Sequence, residues 1–350
     1  MKTLASLHEL LQIAVDQGAS DLHLIPGAPP IVRLFGDITP VSGYDPLDPQ
    51  AIETAAKQIV PSSVWEALQA QGEVDFPYQV PKMGRFRCNM FRQRGSLALA
   101  MRVITTKVLP FEQLGLPDVL NDICRKRSGL VLVTGPTGCG KSTTLASMVD
   151  LINRERKGVI ITLEDPIEYL HRHRRCLVSQ REVGTDTTSF AKALRAALRA
   201  DPDIILVGEM RDLDTIATAI TAAETGHLVF STLHTRGAAN TIDRIIDSFP
   251  PSQQQQIRIQ LSSVLEAVIS QQLMQRQDGR GMVPAVEVLL GTPAVHNMIR
   301  EGKTHQIRSA IETSARFGMR TMESALEDLA ARGVIRATDA EPTTRMTRSL

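Results

Sequence analysis

The stretch that decides the fold is residues 129–150, GLVLVTGPTGCGKSTTLASMVD. It begins with an apolar run, GLVLVT, and continues into GPTGCGKST (135–143), which fits the phosphate-binding pattern G-x-x-x-x-G-K-[ST]. A helical pattern follows from Ser142, so the pattern lies between a predicted strand and a predicted helix, which is the context it requires. The stretch therefore predicts the phosphate loop of a nucleotide-binding α/β domain.

The residues of this phosphate loop (135–143) have distinct predicted tasks. Its glycines allow backbone N–H groups to turn towards phosphate, and the helix N-terminus adds partial positive charge. Lys141 is expected to contact the β- and γ-phosphates, and the Ser142 hydroxyl to hold Mg2+, so ATP and Mg2+ are the predicted cofactors. The predicted nucleotide-binding residues are Gly135, Pro136, Thr137, Gly138, Cys139, Gly140, Lys141, Ser142 and Thr143.

Cys139, inside the loop, allows two interpretations. The helix N-terminus and the neighbouring Lys141 would lower the pKa of its thiol and favour redox chemistry. The alternative, which the sequence favours, is that position 139 is a variable slot of the pattern in which a small side chain suffices. The other cysteines, Cys88, Cys124 and Cys176, form no C-x-x-C pair, so neither a zinc ribbon nor a disulfide framework is predicted.

Apolar runs and helical patterns alternate after the loop. The runs VIITLE, IILVGE and LVFSTLH are separated by the helical patterns SFAKALRAALRA and DLDTIATAITAAETG. Continuous apolar strands separated by helices predict a parallel sheet covered on both faces, and hence the α/β fold class. The segment 251–274, PSQQQQIRIQLSSVLEAVISQQLM, predicts a helix, and further helices are expected after it.

The first hundred residues have a different organisation. A leading helical pattern, a proline-rich turn and short strands such as IVRLFG and RFRCNMF predict a small α+β domain. Two domains are also expected because 350 residues exceed what one hydrophobic core usually serves. The predicted divisions are an N-terminal domain 1–104, a linker 105–117, a nucleotide-binding domain 118–336 with C-terminal helices, and a flexible tail 337–350.

Composition and charge narrow the classes of partner. The sequence shows no apolar run of membrane-spanning length and no signal-peptide pattern, which predicts a cytoplasmic protein. Lysine and arginine number 39 against 38 acidic residues, a formal net charge of +1. This balance argues against a surface that follows nucleic acid, so no nucleic-acid partner is expected.

Acidic residues follow two of the predicted strands. ATP hydrolysis requires a group that orients or deprotonates water and an acid that supports Mg2+, and both normally stand at the carboxyl ends of strands. Glu164 and Asp165 end one strand in ITLEDPIEYLH, and Glu209 ends another in DPDIILVGEMRD. Asp165 has the alternative of a helix cap. The strand that carries the Mg2+-supporting acid usually ends with Asp, often followed by Glu, but in this chain Gly208 occupies the Asp position before Glu209.

Histidines and arginines complete the set of candidate residues. His227 and His234 stand before and after one predicted strand in TGHLVFSTLHT, and His234 has the position expected of a γ-phosphate sensor. In GRFRCNMFRQRG, period-two alternation places Arg85 and Arg87 on one face of a strand. Such a pair is either solvent-exposed without a functional role or a set of arginine fingers for a nucleotide.

These motifs resemble the secretion ATPases, and within them the type IV pilus retraction ATPases (PilT-like proteins). The resemblance runs from GASDLHL through GRFRCNMF, the phosphate loop, ITLEDPIEYLH, QREVG, DPDIILVGEMRD and TGHLVFSTLHT to GMRTM. It covers nearly all of the chain before the tail, in order. It implies a PAS-like α+β domain followed by a RecA-like P-loop ATPase domain.

The resemblance also implies roles for particular residues. Glu164 would activate water and Glu209 would support Mg2+, while Gly208 matches the glycine that these ATPases typically carry before the acid. His227 and His234 would belong to the family's His box. The residues that the N-terminal domain would lend to the nucleotide are Arg85, Arg87 and Arg102.

The family further implies a ring and a place in the cell. Six subunits would form a homohexamer whose motion is driven by sequential hydrolysis and which powers pilus retraction, and thus twitching motility, by pilin disassembly. The ring would be cytoplasmic and peripherally associated with the inner membrane at the pilus base. Its partners would be an inner-membrane pilus platform protein and a paralogous retraction ATPase.

Several functional alternatives stay open. The chain lacks the four-cysteine insertion of type II secretion and pilus assembly ATPases, which favours retraction. Retraction motors carry a late motif close to A-I-R-N-L-I-R-E, which in this chain reads AVHNMIRE (294–301). His296 stands in the place of an arginine and loses its fixed charge, which keeps a PilU-like accessory motor open. A RecA-like nucleic-acid translocase is disfavoured by the charge and by 4% aromatic residues. A regulatory nucleotide-binding subunit with weak turnover is the remaining alternative.

Overall fold

The computed structural model describes residues 6–34, 37–81, 83–104, 108–279 and 281–340. Contacts divide the chain into two compact units, an N-terminal unit Met1–Thr106 and a C-terminal unit Lys107–Leu350. Residues 105–107 of the predicted linker and residues 341–350 of the predicted tail lie outside the described part of the chain. The two units are therefore considered one at a time.

The N-terminal unit contains one antiparallel sheet and helices that pack on it. The sheet has the strand order β3-β2-β1-β6-β5-β4. Its strands are β1 (Asp21–Leu24), β2 (Ile31–Leu34), β3 (Asp37–Pro40), β4 (Glu73–Val80), β5 (Gly84–Gln93) and β6 (Ser96–Ile104). The helices are α1 (Leu7–Asp16), α2 (Pro49–Ile59) and α3 (Ser62–Gln71). This arrangement confirms the predicted α+β character of the first hundred residues.

Local sequence explains how these elements form. In α1 the buried residues Leu7, Leu10, Leu11 and Ala14 recur at helical spacing, which gives the helix one apolar face. The Asp48 carboxylate accepts a hydrogen bond from the backbone of α2 and so begins that helix. The sequence itself therefore defines the buried face of α1 and the start of α2.

The C-terminal unit is built on a seven-stranded sheet with the order β13-β12-β7-β11-β10-β8-β9. Its neighbouring strands pair in parallel, except that the edge strand β13 is antiparallel to β12. The strands are β7 (Gly129–Thr134), β8 (Gly158–Glu164), β9 (Cys176–Glu182), β10 (Ile204–Val207), β11 (Leu228–Leu233), β12 (Leu265–Gln275) and β13 (Met282–Leu290).

Helices cover both faces of this sheet, as predicted. Side chains of β7 alternate between the two layers, with Leu130 and Leu132 in one apolar core and Val131 and Val133 in the other. The first core includes residues of α6 (Phe190–Ala197), α7 (Leu213–Glu224), α8 (Ala238–Asp247), α9 (Pro251–Val264), α10 (Pro293–Arg300) and α11 (Ile307–Thr313). The second includes residues of α4 (Val119–Cys124) and α5 (Lys141–Glu155). The α/β fold class is confirmed.

The prediction of one helix over residues 251–274 is wrong in its second half. Helix α9 ends at Val264, and the chain continues directly into β12, which pairs with β7 inside the sheet. Residues 267–271 are all buried, because β12 lies inside the sheet with apolar layers on both sides. Partners distant in sequence thus override a pattern that resembles a helix locally.

Two further features complete the C-terminal unit. Phe111 and Leu116, which lie in the predicted linker, are buried in the core that also contains α5. Helix α12 (Met322–Ala331) packs on β13 through Leu326 and Leu329. Across the described residues, none of the helices combines the length and the apolar character needed to cross a bilayer.

Candidate nucleotide site

The phosphate loop connects β7, which is buried throughout, to the N-terminus of the 15-residue helix α5. Gly138 and Gly140 have φ angles of 79° and 88°, in the left-handed region that glycine adopts without steric cost. A Cβ atom on Gly138 would meet nothing within 4 Å, so the loop has open space on that side. The loop therefore has the backbone bends and the access that an anion site at a helix N-terminus requires.

Lys141 and its neighbours give the loop its chemical character. The Lys141 side chain is buried, and Nζ donates to the carbonyl oxygens of Gly135 at 2.8 Å and Pro136 at 3.1 Å. Ser142 is exposed at the first turn of α5. A lysine, a free hydroxyl and helix N–H groups fit a nucleotide phosphate accompanied by a divalent cation.

Cys139 is packed inside the loop. The residue is 3% exposed, and a Cβ atom on Gly135 would lie 2.7 Å from its Sγ atom. Burial raises the pKa of the Cys139 thiol and outweighs the opposite effect of Lys141. Because a thiol with a raised pKa is a poor nucleophile, the geometry supports the packing interpretation over the redox one.

Glu164 ends β8 with its carboxylate held by two side chains. Thr162 Oγ1 donates to Glu164 Oε1 at 2.6 Å, and Gln180 Nε2 donates to the same oxygen at 3.1 Å. Burial raises the pKa of the Glu164 carboxyl, although both donors act in the opposite direction. The carboxylate is thus fixed in orientation and more basic than an exposed glutamate, which suits a proton acceptor.

Glu209 and His234 lie together at the ends of β10 and β11. His234 Nε2 is 3.4 Å from Glu209 Oε2, and Arg211 contacts the other carboxylate oxygen at 2.6 Å. The Glu209 side chain is 11% exposed, whereas the other two are open to solvent. A cleft of about 310 Å³ is lined by these three residues and by Thr232 and Ser248, among others.

Gly208 follows β10 and lies against the end of β8. A Cβ atom there would lie 3.2 Å from the carbonyl oxygen of Leu163 and 3.3 Å from the Cα atom of Glu164. The Gly208 N–H donates to the Leu163 carbonyl at 2.7 Å. A larger residue at position 208 would therefore press on the backbone of Leu163 and Glu164, which gives a steric reason for the glycine in place of the usual Asp.

His227 lies apart from these residues. It precedes β11, at the opposite end of that strand from His234. Its Nδ1 atom is 2.9 Å from the carbonyl oxygen of Ala222 and 3.2 Å from Thr225 Oγ1, at the C-terminus of α7. The geometry of the C-terminal unit gives His227 a role in ending a helix and does not bring it to the phosphate loop.

The three candidate arginines belong to the N-terminal unit. Phe86, Cys88 and Met90 of β5 face the core, as the period-two alternation predicted, while Arg87 is exposed. In the β5–β6 ladder Arg87 is paired with Arg102, and Arg85 is paired with Ile104. The three arginines thus lie at the same end of the β5–β6 pair, near the start of β5 and the end of β6.

Arg102 has a partner within its own unit. Its Nε atom donates to Asp21 Oδ1 at 2.9 Å, and Asp21 comes from the GASDLHL motif. Burial opposes ionisation of Asp21, but hydrogen bonds from Ser20 and Arg102 lower the pKa of this carboxyl overall. The Asp21 carboxylate therefore stays ionised beside Arg102.

Sequence reasoning missed two glutamines that support the site. Gln180 lies in the quoted motif QREVG and was assigned no role, yet it donates to Glu164. Gln271 is buried against the phosphate loop, where it contacts Cys139 and Thr144. Gln271 is a polar residue within an apolar run, which could have marked it in the sequence. Because residues 251–274 are predicted as a helix, its position in a strand beside β7 is not expected.

His296 lies on α10, in the late motif AVHNMIRE. Its Nε2 atom is 2.9 Å from the carbonyl oxygen of Leu265, where α9 passes into β12. Leu265 is fully buried. Because a carbonyl oxygen only accepts hydrogen bonds, Nε2 is the donor, and this bond connects α10 to the start of β12.

A parallel sheet with this phosphate loop and with carboxylates at neighbouring strand ends defines a P-loop NTPase. A family model described as Type II/IV secretion system protein matches residues 65–337. The chain belongs to this family, and the resemblance drawn from its motifs is confirmed.

Individual relatives narrow the comparison. The chain is 49% identical over 327 residues to the "Type IV pilus retractation ATPase PilT" of Pseudomonas aeruginosa, covering 93% of this chain and 94% of the relative. It is 39% identical over 332 residues to the "Type IV pilus ATPase PilU" of the same organism, covering 95% of this chain and 87% of the relative. A crystal structure of the pilus retraction motor PilT with bound ADP matches with a TM-score of 0.90, 48% identity and 96% of each chain.

Proposed function

We propose that this protein is a hexameric motor ATPase that hydrolyses ATP to power type IV pilus retraction. The observation that carries the proposal is the 49% identity to a pilus retraction ATPase over 93% of the chain. The phosphate loop and the two strand-end glutamates supply the chemistry that such a motor needs. Retraction would draw pilin subunits out of the filament and so support twitching motility.

ATP and Mg2+ are held by residues of the C-terminal unit in this proposal. The loop from Gly135 to Thr143 and the Lys141 ammonium group bind the phosphates, and Lys141 exchanges its loop carbonyl partners for phosphate oxygens. Ser142 and Glu209 are the residues that would hold Mg2+. The bound cation would neutralise charge that develops on the phosphates during hydrolysis.

Glu164 is the proposed proton acceptor for the attacking water. Its raised pKa makes the carboxylate a stronger base than an exposed glutamate, and its two hydrogen bonds restrict its orientation. His234 is the proposed sensor of the terminal phosphate, since it contacts Glu209 at the end of β11. We assign no step of the reaction to His227.

The arginines of the N-terminal unit are proposed to stabilise phosphate charge. Arg85 and Arg87 lie on one face of β5, and Arg87 is open to solvent. Guanidinium groups bind phosphate oxygens in a bidentate manner, which is the chemistry of an arginine finger. Arg102 is proposed as a third member whose position is set by Asp21.

The proposed assembly is a homohexamer in the cytoplasm, at the inner-membrane base of the pilus. Its proposed partners are an inner-membrane platform protein and a paralogous retraction ATPase. This part of the proposal is supported by similarity to both PilT and PilU of Pseudomonas aeruginosa.

Complementation of a retraction-deficient deletion strain tests the proposal. We expect the wild-type gene to restore twitching and Glu164→Gln to fail, with Glu112→Gln as a matched control because Glu112 is exposed and outside the site. Purified Glu164→Gln should bind ADP but hydrolyse ATP about 100-fold more slowly or worse. Twitching restored by Glu164→Gln would contradict a hydrolysis-driven retraction motor.

An accessory motor is the second candidate, because His296 replaces the arginine of the retraction motif and is used to bind the Leu265 carbonyl. The two candidates differ in a strain that lacks both the principal and the accessory retraction ATPases. A principal motor restores twitching there alone, whereas an accessory motor requires the principal ATPase to be present.

A further inference from the structure

Gln271 lies directly against the phosphate loop. The pairing of β12 with β7 ends at Ser270 opposite Thr134, so Gln271 is the next residue beyond the pairing and stands beside Gly135. The residue is 3% exposed. A buried primary amide requires partners for both its donor and its acceptor groups, and the loop supplies them.

The side-chain amide connects two parts of the loop. Gln271 Nε2 donates to the carbonyl oxygen of Cys139 at 2.7 Å, and Gln271 Oε1 accepts from Thr144 Oγ1 at 2.8 Å. Cys139 belongs to the last bend of the loop and Thr144 to the first turn of α5. One side chain thus fixes the bend relative to the helix on which the loop ends.

The bond to Cys139 also sets the direction of an N–H group. The peptide bond between Cys139 and Gly140 is planar and trans, so its C=O and N–H groups point in opposite directions. With the Cys139 carbonyl held towards Gln271, the Gly140 N–H points away from Gln271. An N–H group fixed in this way is prearranged for a phosphate oxygen, as anion sites at helix N-termini require.

The two glycines that define the sequence pattern both pack on Gln271. A Cβ atom on Gly135 would lie 2.2 Å from the Gln271 carbonyl oxygen, and one on Gly140 would lie 2.8 Å from Gln271 Nε2. Gly138, the other glycine of the loop, would meet nothing within 4 Å. The close approach of Gln271 therefore adds to the positive φ angles of Gly135 and Gly140 in excluding a side chain at the first and last glycines of the pattern.

We propose that Gln271 is a positioning residue that holds the Cys139–Gly140 peptide and the first turn of α5 in the phosphate-binding arrangement. The inference rests on the proposed function, because it assumes that the loop binds a nucleotide. The Gln271 amide bonds Cys139 and Thr144 of the loop and α5, so its proposed effect on the affinity for ADP and ATP acts through the loop. Without the Gln271 amide, the loop would have to be ordered when the phosphates bind, and this cost would weaken binding.

The test compares Gln271→Met with Gln272→Met in the full-length protein. Methionine has a similar length but neither donor nor acceptor, and Gln272 is the next residue of the same strand, with its side chain on the opposite face. We expect the Kd for ADP and the KM for ATP to rise about ten-fold or more in Gln271→Met, with a smaller fall in kcat. Gln272→Met should change each value by less than about two-fold.

A second pair of variants separates positioning from packing. Gln271→Glu keeps the acceptor for Thr144 but cannot donate to Cys139 when ionised, and Thr144→Val removes only the hydroxyl bond. We expect Gln271→Glu to weaken ADP binding at least as much as Gln271→Met, and Thr144→Val to weaken it less. A fall in Tm with an unchanged Kd for ADP in every Gln271 variant would overturn the inference.

Failure of the inference and failure of the proposed function give different results. Wild-type protein that binds no ADP contradicts the proposed function itself. Wild-type protein that binds ADP, together with Gln271→Met and Gln271→Glu variants that bind it equally well, contradicts only the role of Gln271.

Discussion

At the scale of single residues, the site depends on how one carboxylate is held. Glu164 is half-buried and accepts two side-chain hydrogen bonds on one oxygen, so its basicity is a balance of opposing effects. Burial disfavours the charged form and raises the pKa, whereas the donors favour the charged form and lower it. A variant that changes one effect alone should therefore move the pH dependence of hydrolysis in a known direction.

The variant Gln180→Leu removes one donor from Glu164. Because Gln180 favours the carboxylate, its loss should raise the pKa of Glu164 further. A proton acceptor works only when deprotonated, so the acid side of the kcat profile should shift to higher pH. Thr162→Val removes the other donor and should shift the profile the same way. An unchanged profile, or one displaced to lower pH, would show that Glu164 does not control the rate.

The variant Gly208→Ala tests the close approach of β8 and β10. The added methyl group would press on the Leu163 carbonyl and on the Glu164 backbone, a strain of about 1–3 kcal/mol. We expect a lower Tm and a fall in kcat of about ten-fold or more, because Glu164 must move. ADP affinity should be retained, since the phosphate loop follows β7. Wild-type kcat in this variant would contradict the steric explanation for Gly208.

At the scale of elements, the His296 side chain of α10 bonds the Leu265 carbonyl at the start of β12. His296→Ala would leave the buried Leu265 carbonyl without its donor, a loss of about 1 kcal/mol in the free energy of unfolding. His296→Gln, whose amide can donate, should lose less. Urea unfolding followed by circular dichroism measures both values. Equal stability of the wild type and both variants would mean that this bond contributes nothing to the fold.

Elements with local signals could be predicted from the sequence. Helices α6 and α7 begin at Ser189 and Asp212, whose side chains accept hydrogen bonds from the first turn, and both were expected. The phosphate loop was also expected, because its glycines and Lys141 are consecutive in the chain. Local pattern is sufficient where the partners of an element are its own neighbours.

Elements determined by distant partners could not be predicted. The change from α9 to β12 at Leu265 depends on pairing with β7, and the strand β13 was missed because its partner β12 had been assigned to a helix. The same error hid Gln271, whose contacts with the loop are made across 132 positions of sequence. His227 and His234 stand at opposite ends of β11, as predicted, because the whole strand lies between them.

At the scale of the whole molecule, the proposal divides one reaction between two units. We expect Arg87→Ala to slow ATP hydrolysis about ten-fold or more while ring assembly stays intact. Arg92→Ala is the matched control, because Arg92 lies on the opposite face of β5 and bonds Gln69 within the N-terminal unit. Turnover and light scattering together measure both properties. A monomeric Arg87→Ala protein would show that this arginine is structural.

The position of Gln271 late in the chain has a consequence for synthesis on the ribosome. The phosphate loop is translated 132 residues before the side chain that orders it, and β12 must leave the ribosome before it can pair with β7. Under the proposed role for Gln271, a nascent chain carries the loop sequence through those 132 residues of synthesis without the corresponding affinity. Chains that have not yet reached Gln271 would therefore bind ATP more weakly than the finished protein.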